Sequence, residues 1–179
     1  MFDMVVSGPI AQRAISDAEE IIGVSEIYWS RTGEYTEAYL ASTRAQPGDS
    51  WSAAFVSFRL QCAAQELKLR WPASFPISGY APDYKAWALS NGLWICIDEF
   101  WRVQRGDLCC FWFAALERIA HVGIVSQIID NEDRWFDSIE GNTSPDSAEV
   151  FSQDGEGVYC KQRRATMLGE RGGFVRLPF

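Results

Sequence analysis

Apolar residues recur at helical steps in the first half of the chain and alternate in the second. Ile10, Ala14, Ile15, Ala18, Ile21 and Ile22 lie mostly three or four residues apart. They predict an amphipathic helix that starts at Ser7-Gly8-Pro9 and stops at Gly23. Val24 to Ser30 reads as a connection and Arg31-Thr32-Gly33 as a turn. Glu34 to Ala45 reads as a second helix, with Tyr35, Tyr39 and Leu40 facing inward. Pro47-Gly48-Asp49 is turn chemistry leading into a third helix from Trp51 to Leu67, capped by Asp49 or Ser50. Small residues (Ser52, Ala53, Ala54) open that helix, and Phe55, Val56, Phe58 and Leu60 follow, so it is expected to be packed on most sides. Lys68 to Pro82, punctuated by Pro72, Pro76, Gly79 and Pro82, reads as an irregular loop. A short helix from Asp83 to Asn91 closes at Gly92, and Leu93 to Val103 is partly extended.

From Arg105 onward the period shortens toward two. Leu108 to Phe113, His121 to Ile129, Arg134 to Glu140, Gly155 to Arg163 and Gly172 to Leu177 read as strands, with turns at Arg105-Gly106-Asp107 and Asp130 to Asp133. Helices followed by a run of strands predict an α+β fold, with N-terminal helices packed on an antiparallel sheet. No repeat or linker interrupts residues 1–179, so one domain is expected.

Composition narrows the classes. An apolar content of 47% and a charged content of 22% are ordinary for a globular domain with a substantial core. The formal net charge of −8 argues against nucleic acid and anionic membranes as partners. No apolar run is long enough to span a bilayer. MFDMVVSGPI lacks a basic start and carries Asp3, so it does not read as a signal peptide. Cys62, Cys96, Cys109, Cys110 and Cys160 are odd in number and match no disulfide or zinc spacing. They read as reduced thiols of a protein synthesised in the cytoplasm. A single histidine excludes a His-rich metal site.

Three stretches carry polar chemistry. Ser52 falls in the first turn of the predicted third helix, beside unpaired N–H groups and the positive end of the dipole. His121, the sole imidazole, heads an apolar strand. Glu140-Gly141-Asn142 falls where the next strand is expected to end. A nucleophile on a helix, a base on a strand and an acid or amide beside it form the layout of a hydrolase triad. The plainer alternative is a small residue at a crowded helix start, a structural His and a turn.

The residues also resemble a family. Trp51-Ser52-Ala53-Ala54-Phe55-Val56-Ser57 resembles the W-C-A-A-F-V-S nucleophile helix of CHAP-type peptidoglycan hydrolases, within the papain-like and NlpC/P60-like class. Arg105-Gly106-Asp107-Leu108 with His121-Val122-Gly123-Ile124-Val125 resembles their G-D and H-V-G strands. Ile139-Glu140-Gly141-Asn142 resembles their E-G-N segment, and Ile22 to Glu26 with Glu34-Tyr35 resembles their opening helices. The likeness extends over most of Ile21 to Ser144.

The resemblance implies a papain-like fold and hydrolysis of an amide in bacterial peptidoglycan without a cofactor. The bond would be the N-acetylmuramoyl-L-alanine amide or one within the stem peptide or cross-bridge. Ser52 would be the nucleophile, His121 the base, Glu140 the residue that orients the ring, and Asn142 an assistant. Gln46 would help at the oxyanion, and Trp51, Tyr80, Tyr84 and Trp87 would touch substrate. Such a chain acts at the cell wall after export or lysis, as a phage lysin or a secreted antibacterial effector with an immunity protein as partner. The family carries cysteine where this chain has Ser52. That leaves a silenced cysteine enzyme, a native Ser-His-Glu hydrolase, or an inactive binding module.

Overall fold

The computed structural model describes residues 5–24, 34–145 and 157–179. Four helices come first: α1 (Pro9–Glu19), α2 (Glu34–Ser42), α3 (Ser52–Glu66) and α4 (Pro82–Ser90). Six strands follow: β1 (Trp94–Cys96), β2 (Leu108–Phe113), β3 (Arg118–Asp130), β4 (Trp135–Thr143), β5 (Gly157–Arg164) and β6 (Gly173–Val175). They form one sheet in the order β1-β6-β2-β3-β4-β5, with every pairing antiparallel. The fold is α+β. The expected connection beyond Val24, the turn at residues 31–33 and the Gly155 start of the fifth strand lie outside the described residues.

Helix α3 lies at the centre of one layer. Ala53, Ala54, Phe55, Val56 and Leu60 are buried, and they share a core with Ile10, Ile15, Val122, Ile124 and Ile139. Each fully buried large side chain there contributes about 1.5–3 kcal/mol. Tyr39 of α2 sits among aromatic rings, 5.5 Å from both Trp51 and Phe55 between centroids. Tyr35 is exposed rather than inward, whereas Tyr39 and Leu40 are buried as expected. A second core on the opposite sheet face joins Phe100, Phe111, Val125, Phe136 and Phe174. With both faces covered, Cys109 and Cys110 are both fully buried.

Two local expectations need correction. The N-cap of α3 is Trp51, with no side-chain cap bond. Asp49 is occupied in its own turn, where Oδ2 accepts the Gln46 N–H at 2.8 Å, and Ser50 Oγ accepts Asn142 Nδ2 at 2.8 Å. Glu140-Gly141-Asn142 lies inside β4 rather than at its end, because Thr143 pairs with Gly157 and so carries the strand further.

The turn into β2 is anchored by a buried ion pair. Asp107 accepts Arg176 Nε at 2.6 Å and Nη2 at 3.0 Å, and also the Gln104 N–H at 2.8 Å. The same guanidinium donates to the carbonyls of Val5 and Arg102. It thereby ties the N-terminal segment and the 3-10 turn Ile97–Arg102 to the segment that follows the last strand. Among the described residues no helix is long and apolar enough to cross a membrane. Arg176→Met, which leaves the Asp107 carboxylate unpaired in the interior, is expected to destabilise the protein by about 3–5 kcal/mol. A fall in the urea midpoint at pH 7 with an unchanged slope checks it.

Candidate active site

Glu140 is fully buried on β4, and its carboxylate is saturated with donors. Oε2 pairs with His121 Nε2 at 2.8 Å and accepts Arg163 Nη2 at 2.8 Å. Oε1 accepts Arg163 Nε at 2.9 Å and Ser138 Oγ at 2.7 Å. Burial by itself would raise this carboxyl. The hydrogen bonds from Arg163 and then His121, with their charges, outweigh that and hold it well below the usual carboxylate range. An ionised carboxylate only accepts, so the bonding pattern assigns the proton to Nε2 and leaves Nδ1 as the lone-pair atom in the neutral ring. The ring is further fixed by Phe111, 5.2 Å away between centroids, and Phe111 in turn lies 5.5 Å from the Arg163 guanidinium.

Two glycines make this packing possible. A Cβ on Gly123 would stand 2.6 Å from Glu140 Cγ, so the H-V-G glycine leaves room for the carboxylate arm. A Cβ on Gly141 would stand 2.6 Å from Trp51 Cζ3 and 2.7 Å from Phe55 Cγ. The E-G-N glycine therefore lets α3 sit directly on β4.

Ser52 is the first residue of α3, almost fully buried, and it lines a cleft of about 420 Å³. Arg44, Asp49, Ser50, Tyr80, Arg118 and Ala120 are among the other lining residues. The strand that carries His121 reaches this cleft through a bulge. Phe111 pairs with His121 and Trp112 with Ile119, so Ala120 is the extra residue. Such a bulge bends the strand and re-aims its side chains. Ala120 lines the cleft, and His121 follows it directly. His121 itself is buried and is not among the residues that line the cleft, and among the described residues no hydrogen bond joins Ser52 Oγ to the imidazole.

The other expected site residues divide. Asn142 adopts a left-handed backbone (φ 59°) and bonds Ser50 rather than His121, and its Oδ1 is buried without a partner. Gln46 is exposed in its turn and does not line the cleft. Tyr80 does line it. Trp51 and Tyr84 do not reach the cleft. Trp51 is packed against Tyr39 and Phe55, and the Tyr84 hydroxyl lies 2.8 Å from the Ala53 carbonyl and 2.9 Å from Ser57 Oγ. Trp87 is half-buried against Phe75 and Phe179, with Nε1 donating to Ser74 Oγ, and is not part of the cleft wall. Burial pushes the Cys109 thiol well up and the Cys110 thiol to about 12, so neither supplies a thiolate. Among the described residues no group of three or more His, Cys, Asp or Glu is placed to hold a metal ion.

Sequence reasoning missed Arg163, Ser138 and Arg118. Arg163 ends the predicted strand from Gly155, and an arginine at an inward register is the only trace it leaves there. Comparison with protein-family models, curated proteins and solved structures returns no match.

Because the folded carboxyl of Glu140 is depressed, it contributes stability above the ordinary carboxylate pKa. That contribution fades as pH falls below about 4.3 toward the folded value. Glu140→Gln is expected to lose stability at pH 7 and to show a shallower fall between pH 5 and pH 3 than the wild type. Urea midpoints across that range measure both.

Proposed function

We propose that this chain is a peptidoglycan amidohydrolase with a papain-like arrangement, working through Ser52, His121 and Glu140. The observation that carries the reading is the buried His121–Glu140 pair at 2.8 Å, on the strand whose bulge borders the cleft that Ser52 lines. Its substrate is the N-acetylmuramoyl-L-alanine amide or a peptide bond in the stem or cross-bridge. It acts at the bacterial cell wall after export or lysis.

In this reading the Ser52 hydroxyl attacks the amide carbonyl while His121 Nδ1 takes its proton. The ionised Glu140 steadies the imidazolium that forms, and Arg163 keeps that carboxylate charged. The first N–H groups of α3 have no intrahelical partner and no side-chain cap from Trp51, so they serve the oxyanion. Collapse of the tetrahedral adduct breaks the C–N bond, and the imidazolium returns its proton to the leaving amine. Water then cleaves the acyl-serine by the same route.

One observation favours a second reading. The nucleophile helix that residues 51–57 resemble carries cysteine, and a hydroxyl is far less acidic than a thiol. A chain with serine there fits an inactive wall-binding module as well. Ser52→Cys incubated with purified peptidoglycan separates the two. An enzyme is expected to release amines or muropeptide fragments, and adding His121→Ala should cut that release by about 100-fold or more. No release from the Ser52→Cys protein leaves the binding module.

A further inference from the structure

The cleft beside Ser52 carries a charge opposite to that of the chain around it. The protein has a formal net charge of −8, yet Arg44 and Arg118 both line this cleft against a single carboxylate, Asp49. Asp49 is already engaged, its Oδ2 accepting the Gln46 N–H at 2.8 Å. Among the described residues neither arginine has a carboxylate partner. The Arg118 guanidinium lies 5.4 Å from the centroid of the Tyr80 ring, and Nη1 donates to the Ile119 carbonyl at 3.1 Å. Ring and carbonyl hold the plane of the fork, which reduces the rotamer freedom lost when it grips an anion. The positive end of α3 opens onto the same space at Ser52.

We propose that this cleft is a carboxylate-recognition pocket, in which Arg118 on its Tyr80 platform holds a free carboxylate of the amide substrate close to Ser52. The inference rests on the reading of Ser52 as the reacting residue and adds the substrate class. The chain acts on amides whose flanking residue bears an unamidated carboxyl group. A planar two-oxygen anion matches the guanidinium fork, and the surrounding Ser50, Ser78 and Gly79 leave a neutral, polar wall for the peptide. Arg44, held at a left-handed backbone position (φ 61°), adds a second positive charge on the rim.

The direct test is an NMR titration of the ¹⁵N-labelled full chain with N-acetyl-Ala-Ala and with its C-terminal amide. The acid is expected to shift the amides lining the cleft and to bind at least about 10-fold more tightly than the amide, the span of a charge-assisted hydrogen bond. Arg118→Gln should abolish the difference, and Arg118→Lys should retain part of it. Equal binding of acid and amide, no binding of either, or a preference that survives Arg118→Gln overturns the proposal. So does equal competition by inorganic phosphate, which would make the site a general anion sink.

A second assay uses Ser52→Cys on peptidoglycan sacculi, either native or amidated with carbodiimide and ammonia. Amidation is expected to suppress cleavage by Ser52→Cys and to leave Ser52→Cys/Arg118→Gln at an equally low rate on both. A preserved acid preference with sacculi untouched overturns the wall-hydrolase reading and leaves the pocket standing. Sacculi cleaved equally in both forms, with no acid preference, does the reverse.

Discussion

A carboxylate sealed inside a protein must be matched donor for donor, and Glu140 meets that demand with Arg163, His121 and Ser138. Removing any one donor leaves charge or lone pairs uncompensated in a low-dielectric interior. Phe111 packs against both the Arg163 guanidinium and the imidazole that grip the carboxylate, so the ring of His121 has little freedom to turn. The arrangement fixes the histidine proton on the atom facing Glu140. The orientation of the only imidazole in the chain thus follows from electrostatics on β4 and β5.

The second constraint is the seat of α3. Its small and aromatic residues rest on Gly141 and on the apolar face of β3 and β4, which places Ser52 at the open end of the helix. Asn142 ties the strand to Ser50, two residues before Ser52. The bulge at Ala120 then brings the β3 strand to the same cleft. Helix and strand are located by shared hydrophobic contact, and the charge network then orients the imidazole that the strand carries.

Much of this was legible in the residues themselves. Helical spacing around Ile10 to Ile22, and the alternation from Leu108 onward, marked elements within a few residues of their observed bounds. Ser52 stood out in the first turn of its helix, His121 as the sole imidazole at the head of an apolar strand, and Glu140 beside Gly141 and Asn142 where a strand was expected to end. Arg163 did not, because its importance depends on register: the pairing of Phe136 with Arg163 and Glu140 with Tyr159 turns it toward the carboxylate. Aromatic residues were the least legible. Trp51, Tyr80, Tyr84 and Trp87 look alike in sequence, but only Tyr80 lines the cleft, and Tyr84 is consumed in satisfying the backbone of α3. The caps expected at Asp49 and Ser50 failed because each side chain had a nearer or stronger partner.

Strand β4 presents Ile139 and Gly141 to the helix side and Ser138 and Glu140 to the other. Neighbouring residues of one strand thus carry the scaffold and the chemistry in strict alternation. A slip of a single position would send the carboxylate into the hydrocarbon layer and the isoleucine toward the imidazole. Misalignment of this strand therefore cannot yield a well-packed molecule with a broken dyad; the two fail together.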